Sequence, residues 1–200
     1  MLEKKNRKRD AILKAAGEIF SRFGYEKTSL DDIGRAVGLN KASLYYYFKN
    51  KDDLFLELVL QETRAFNAEL EARTLAIPDV RRQVRFFLTE RIRRYEQMIH
   101  LTSLSTEKVG ELEPVYRDLD KELHKKTTDF LTALLKRGVA ENHFSFPQQP
   151  SAVVAETLLH MLMAFEHDVV FMSRKNDQYS PLDFTRAIEN LERLLALILR

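Results

Sequence analysis

Apolar and polar residues alternate along most of the chain at the spacing of an α-helix. In the N-terminal part, Ile12, Ala16, Phe20 and Phe23 form an apolar stripe with charged residues between them. Such a stripe predicts an amphipathic helix that buries one face. Gly24 follows where a left-handed C-cap residue is common, so the first helix is expected to end there.

Two much shorter helices are predicted next. Thr28 and Ser29 precede a pair of aspartates, which predicts the start of a second helix that ends near Gly38. Asn40 predicts the start of a third helix that ends near Phe48. Two short helices joined by a tight turn after a longer helix are typical of a helix-turn-helix.

The predicted helix-turn-helix has enough apolar side chains for a small core of its own. The expected core residues are Phe20, Phe23, Ile33, Leu39, Leu44 and Phe48. Gly38 permits the tight turn. Gly34 lies inside the second helix, where a glycine costs about 1 kcal/mol relative to alanine. A close backbone contact would explain a glycine at this position.

Longer helices are predicted from residue 51 onward, and they indicate a second domain. The expected helices cover residues 51–73, 80–99, 114–139, 150–172 and 181–199, with a looser stretch at 103–110 and loops at 142–150 and 174–179. The total is about nine helices, and no strand is indicated. We therefore expect an all-α protein with a three-helix domain over residues 1–50 and a larger helical domain over residues 51–200.

Composition narrows the function classes. The chain has no cysteine, which excludes disulfides, thiolate nucleophiles and cysteine-bound zinc. It has no apolar run of about 18 residues that could cross a membrane, and no apolar segment behind its basic N-terminus that would form a signal peptide. We therefore expect a cytoplasmic protein without a membrane partner.

The charges are distributed unevenly along the chain. Residues 1–51 hold 12 lysines and arginines against 6 acids, whereas residues 52–200 hold 20 against 24. A basic N-terminal part joined to a mildly acidic remainder predicts that the first part meets a polyanion. Chance clustering of basic residues within the first ten positions is the alternative explanation.

A long motif combines the turn, core and polar positions of the N-terminal part: Thr28-Ser-Leu-x-x-Ile-Gly-x-x-Val-Gly-Leu-Asn-Lys-Ala-Ser-Leu-Tyr-Tyr-Tyr-Phe-x-x-Lys51. With this motif, residues 7–60 strongly resemble the DNA-binding domain of TetR-family transcriptional regulators. Beyond residue 60 the resemblance rests on length and helical layout. It implies a homodimer that binds a double-stranded DNA operator, and most often a repressor that a small-molecule effector releases.

The third helix is the candidate for entering the major groove. Lys41 can donate to guanine, and the methyl group of Ala42 can contact thymine. Three consecutive tyrosines cannot all point into one core, because neighbouring helical residues point in different directions. Phosphates can be bound by the hydroxyls of Tyr45 and Tyr47, by Thr28 ahead of the second helix and by Lys51 at the start of the fourth. The expected DNA-contacting residues are Thr28, Lys41, Ala42, Ser43, Tyr45, Tyr46, Tyr47 and Lys51.

By resemblance, the second domain binds the effector and forms the dimer. An aromatic-rich pocket is expected from Phe66, Phe87, Tyr95, His100, Tyr116, Phe130 and His160. Aromatic residues at helical spacing are also common in plain cores. The dimer interface is expected on the last two helices, at Leu158, Met161, Phe165, Leu191 and Leu195. The helix over residues 150–172 can instead be a core helix, or it can serve both roles with different faces.

Catalytic and metal-binding patterns are weak in this sequence. Glu156, His160 and His167 lie roughly on one helical face, but a metal site would need ligands from a second helix. No phosphate-binding glycine loop, nucleophile elbow or zinc-protease motif is present. We therefore expect no metal, no cofactor and no enzymatic activity. The rival hypotheses are a small-molecule enzyme with a helical active site and a helical module that binds a protein partner.

Overall fold

Regular secondary structure is helical throughout the part of the chain that the computed structural model describes, which is residues 2–102, 104–145, 149–172 and 181–198. The nine helices in these ranges are α1 (Leu2–Phe23), α2 (Leu30–Ala36), α3 (Lys41–Tyr45), α4 (Lys51–Leu75), α5 (Val80–Thr102), α6 (Thr106–Leu119), α7 (Lys121–Ala140), α8 (Ser151–Met172) and α9 (Pro181–Ile198). The all-α class is therefore confirmed. The predicted loop at 174–179 lies outside the described residues.

Helices α6 and α7 differ from the prediction of a loose stretch followed by one long helix. Helix α6 already begins at Thr106, because the Ser105 side chain accepts a hydrogen bond from the Lys108 amide at 3.2 Å and caps the helix. Pro114 lies inside α6 and does not start a helix. The predicted helix over 114–139 is thus wrong, since the chain breaks at Asp120 into two helices.

Packing divides the chain into two compact units. The first unit comprises Met1–Arg64 and Met98–Leu119, and the second comprises Ala65–Gln97 and Asp120–Arg200. By packing, the first unit therefore also includes the N-terminal half of α4 and all of α6. The predicted division at residue 50 concerns function and stays a prediction.

The sequence pattern misplaces one aromatic residue of the first unit. Phe23 is 53% exposed, although it was expected in the core. It is the last residue of α1, and the chain turns back at Gly24 with φ +80°. This turn directs the buried ring of Tyr25 inward, with its centroid 5.5 Å from that of Phe20 and 4.9 Å from that of Phe55.

The remaining core residues of the helix-turn-helix follow the prediction more closely. Ile33, Leu44 and Phe48 are fully buried, whereas Leu39 is half-buried. Their burial stabilises the short helices α2 and α3, which are too short to persist without tertiary packing. The N-terminal part of the chain therefore has the local core that a helix-turn-helix requires.

The core of the second unit includes three residues that were expected at the dimer interface. Leu158, Leu191 and Leu195 are at most 1% exposed within the single chain and belong to its apolar core. A side chain without solvent-accessible surface has no surface left to bury when a second copy associates. These three predictions are therefore wrong. Met161 and Phe165 are half-buried, and their place in the interface stays a prediction.

Candidate nucleic-acid interface

The turn between α2 and α3 is built on a close backbone contact. The Ser29 hydroxyl accepts a hydrogen bond from the Asp32 amide, and the Asp32 carboxylate accepts one from the Ser29 amide, so a capping box starts α2. The Leu39 amide donates to the Gly34 carbonyl at 2.8 Å. A Cβ atom on Gly34 would lie 2.9 Å from the Leu39 carbonyl oxygen. The close contact that the glycine suggested is therefore present.

Helix α3 is short, and one side of it packs against the core of the first unit. Asn40 caps it by accepting a hydrogen bond from the Ser43 amide at 2.8 Å. Leu44 is fully buried beneath it. The helix ends at Tyr45 and not at Phe48, because the chain tightens into a turn in which the Tyr47 and Phe48 amides share the Leu44 carbonyl.

Four predicted DNA contacts point away from this core, and we call them the α3 surface: Lys41, Ala42, Tyr45 and Tyr46. Tyr45 is 47% exposed and Tyr46 is 66% exposed. The Lys41 ammonium lies 3.7 Å from the Asp31 carboxylate in an exposed ion pair, which is worth little in water. The α3 surface therefore presents one exposed cation, one methyl group and two phenols.

Ser43 and Tyr47 are half-buried, so they lie beside the α3 surface and not on it. The Tyr47 ring packs edge-on against the Tyr46 ring, with centroids 5.2 Å apart. The argument that three consecutive tyrosines cannot all be buried is confirmed, since two of them are exposed.

Thr28 is buried, although its hydroxyl and amide were expected to contact DNA. It is 3% exposed, its hydroxyl donates to the Gly24 carbonyl at 2.7 Å, and its amide donates to the Tyr25 carbonyl at 3.2 Å. Both donors that were expected to bind a phosphate are therefore used within the chain. Thr28 stabilises the loop ahead of α2.

Lys51 also has partners within the chain. Its ammonium donates to the Tyr25 carbonyl at 2.9 Å and to the Thr28 carbonyl at 3.1 Å, and it lies 4.0 Å from the centroid of the Tyr25 ring. Two of its three hydrogens are thus engaged. Lys51 joins the loop before α2 to the start of α4, and a phosphate contact by its remaining hydrogen stays a prediction.

Arg9 has a structural role that the sequence pattern did not reveal. It looks like part of the basic N-terminus, yet its guanidinium donates to both carboxylate oxygens of Glu57 and, at 2.8 Å, to the Tyr47 carbonyl. It also lies 4.5 Å from the centroid of the Phe48 ring. The hydrogen bonds to Glu57 raise the pKa of Arg9. Arg9 therefore connects α1 and α4 to the chain that leaves α3.

A second network connects the same region to α6. The Tyr25 hydroxyl donates to the Asp52 carboxylate, and the Lys108 ammonium donates to Asp52 at 2.9 Å and to Glu111 at 3.0 Å. Burial alone raises the pKa of Asp52, but the hydrogen bonds from Tyr25 and Lys108 outweigh it and lower this pKa. Burial and then the hydrogen bond to Asp52 raise the pKa of Tyr25.

The residues expected to line an effector pocket do not form one set within either unit. Tyr116 belongs to the first unit, where its hydroxyl lies 3.3 Å from the Thr63 hydroxyl. Phe87 is 2% exposed and is a core residue of the second unit, as the plain-core alternative predicted. The other predicted lining residues of the second unit are Phe66, Tyr95, Phe130 and His160. The side chain of His100 lies outside the described part.

Two absences concern the described residues alone. No group of three or more metal-ligating side chains in these ranges is arranged to hold a metal ion, and the side chain of His167 falls outside them. None of the helices, over the described residues, is long and apolar enough to cross a membrane.

The N-terminal part matches a known family. Residues 12–58 match the family of bacterial regulatory proteins named after tetR. The biofilm operon icaADBC HTH-type negative transcriptional regulator IcaR of Staphylococcus epidermidis is 43% identical over 51 residues, which are 26% of this chain and 28% of that protein. The HTH-type transcriptional regulator RutR of Escherichia coli K12 is 38% identical over 65 residues, 32% of this chain and 31% of that protein. The matches thus span less than a third of each curated relative.

The fold is also similar to that of solved structures. A crystal structure of a transcriptional regulator from Cytophaga hutchinsonii superposes with a TM-score of 0.79 over 95% of both chains, at 23% sequence identity. This similarity shows the fold alone. Together with the nine helices, it confirms the predicted architecture of an N-terminal helix-turn-helix followed by a larger helical part.

Proposed function

We propose that this chain, whose residues 12–58 form a TetR-family DNA-binding domain, is a sequence-specific DNA-binding transcriptional regulator. The α3 surface is the observation that carries the proposal. A helix of five residues is held by buried Leu44 on one side and exposes Lys41, Ala42 and Tyr45 on the other, and Tyr46, which follows the helix, is exposed as well. A short helix with cationic and phenolic tips suits the width of the major groove.

The exposed residues have separate roles in this proposal. Lys41 donates to the guanine edge, and the Ala42 methyl group contacts a thymine methyl group, so these two residues select sequence. Tyr45 and Tyr46 donate to phosphates, which positions the helix without selecting a base. IcaR is named as a negative regulator, which supports repression as the mode of action.

The proposed active form is a homodimer with two α3 surfaces about 34–36 Å apart, one turn of B-DNA. The surface proposed to pair lies on α8 and α9, on the side away from the core. Val153 is 45% exposed and Leu197 is 64% exposed there, and Met161 is half-buried. Burying these apolar side chains against a second copy would stabilise the dimer.

Light scattering on two variants tests this interface. Leu197→Glu would place a charge on the proposed surface, and we expect it to convert a dimer into a monomer. Leu75→Glu is the matched control, because Leu75 is 56% exposed on α4 of the same unit. A dimer that persists in Leu197→Glu would move the interface elsewhere.

The proposed effector is a small molecule bound by the second unit. Its binding would favour a population in which the two α3 surfaces no longer match successive major grooves. Such a regulator acts where the genome is, so a cytoplasmic location is part of the proposal.

DNA selection tests the function directly. A duplex selected from a random pool should bind with an affinity about a thousandfold or more above that of a shuffled duplex at the same salt concentration. Its affinity should fall steeply with salt, since lysines and arginines release counterions. An enzyme or a protein-interaction module would bind both duplexes alike or not at all, and that result would refute the proposal.

A further inference from the structure

A cluster of polar side chains from four helices lies within the second unit. Its members are Asn67 on α4, Arg91 on α5, His124 and Thr127 on α7, and His160 on α8. The Arg91 guanidinium donates to the Asn67 side-chain oxygen at 3.2 Å, and the Asn67 amide donates to the Thr127 hydroxyl at 3.5 Å. The rings of His124 and His160 lie 6.3 Å apart, centroid to centroid.

The cluster has more hydrogen-bond donors than acceptors. Arg91 Nε is buried, and no acceptor for it and no carboxylate partner for the guanidinium lies among the described residues. A guanidinium has five N–H groups, and the Asn67 oxygen uses one of them. Burying a cation without an anionic partner costs free energy. An anion would therefore bind more strongly at this position than at the protein surface.

The surroundings of His124 include two basic side chains that disfavour its charged form. Burial lowers the pKa of His124, the charges of His160 and Arg91 lower it further, and Glu156 raises it. Glu156 is exposed, and among the described residues it is the one acid that raises this pKa. The field at the cluster therefore favours an anion.

An apolar surface adjoins the cluster. The Arg91 guanidinium lies 5.8 Å from the Phe87 ring centroid, and the Phe87 and Phe130 rings are 5.1 Å apart. Phe87 is buried in the core, whereas Phe130 is half-buried and packs against that core. A ligand that reaches Arg91 with an anionic group can place an apolar body against Phe130.

We propose that Arg91, Asn67 and His124 bind the carboxylate of a small apolar acid, whose hydrocarbon part lies against Phe130. The role of this acid as effector rests on the proposed regulatory function, whereas its binding does not. A carboxylate accepts two hydrogen bonds from one guanidinium, which fits the planar fork of arginine better than that of lysine.

The test uses two pairs of probes and the full chain without DNA. Octanoate and benzoate are compared with octanamide and benzamide, which keep the shape and lose the charge. Isothermal titration calorimetry should detect binding of at least one acid, and its amide should bind about tenfold or more weakly. Failure of both acids to bind, or equal binding of acid and amide, would overturn the proposal.

Variants assign the binding to the cluster. Arg91→Gln should weaken acid binding about tenfold or more, whereas Arg82→Gln, an exposed arginine on the same helix, should leave it unchanged. If Arg91→Gln does not fold by circular dichroism, Arg91→Lys keeps the charge and should still weaken binding, because the fork is lost. Wild-type affinity in the folded Arg91 variant would overturn the assignment.

DNA binding is measured separately on the selected duplex. If the acid binds and also releases the duplex, the effector role is supported. If the acid binds through Arg91 and the chain binds no DNA, the site stands and the regulatory function fails.

Discussion

Replacing Gly34 by alanine tests how tightly the helix-turn-helix is packed. A Cβ atom at this position would lie 2.9 Å from the Leu39 carbonyl oxygen, which is backbone and cannot rotate away. Alanine gains about 1 kcal/mol in helix propensity. Over-packing costs about 1–3 kcal/mol, and disturbing the hydrogen bond from the Leu39 amide to the Gly34 carbonyl costs about 1 kcal/mol more. We therefore expect a net loss of about 1–3 kcal/mol in the free energy of unfolding.

Gly17→Ala is the matched control, since it makes the same chemical change within the same unit. A Cβ atom there would meet the Leu58 side chain at 3.5 Å, an ordinary van der Waals contact. Without a clash, the helix propensity should appear as a gain of about 0.5–1 kcal/mol.

Urea denaturation followed by far-ultraviolet circular dichroism measures both variants. The two substitutions should shift the midpoint in opposite directions. If Gly34→Ala were as stable as Gly17→Ala, the close approach of the two backbones would not limit the turn, and this reasoning would be wrong.

Three further predictions concern charged groups. Arg9→Gln should lower the free energy of unfolding by about 1–3 kcal/mol, because Glu57 loses its partner. The control Arg7→Gln, at an exposed position, should change it by less than about 0.5 kcal/mol. Urea titrations measure both variants. Asp52 has a lowered pKa in the folded state, so it stabilises the fold at a pH above its ordinary pKa of 3.8, and this contribution is lost as the pH falls. Asp52→Asn should therefore flatten the acid part of a plot of melting temperature against pH. The lowered pKa of His124 likewise makes the fold more stable at a pH above the ordinary pKa of 6.5 than below it. His124→Gln should therefore reduce the fall in melting temperature below pH 6.5.

The sequence predicted well where a local rule determines the structure. The caps at Ser29 and Asn40, the left-handed turns at Gly24 and Gly38, and the close contact at Gly34 all depend on residues near each other in the chain. The resemblance to the TetR family depends on the same local motif, and it is confirmed over residues 12–58.

Contacts between distant parts of the chain were not predictable in this way. Arg9 and Glu57 are 48 positions apart, and Asp52 and Lys108 are 56 apart, so no periodicity links them. Arg9 looked like part of the basic N-terminus, and no sequence pattern singled out Lys108. Thr28 was misjudged for a related reason, because the direction in which a loop side chain points depends on the packing around it.

The interface residues illustrate a further limit. An apolar stripe such as the one containing Leu191 and Leu195 predicts burial, but the pattern is the same whether the covering surface is the chain's own core or a second copy. The structure assigns both leucines to the core. The exposed Leu197 on the same helix is consequently the better probe of association.

Selection from random DNA with Lys41→Ala tests most directly whether the α3 surface selects bases. Lys49→Ala is the matched control, because Lys49 is exposed just beyond α3. The account predicts that Lys41→Ala loses the preference at one or more guanines of the selected motif, at a cost of about 1–3 kcal/mol per position, while Lys49→Ala selects the wild-type motif. An unchanged motif for Lys41→Ala would contradict base selection by this helix.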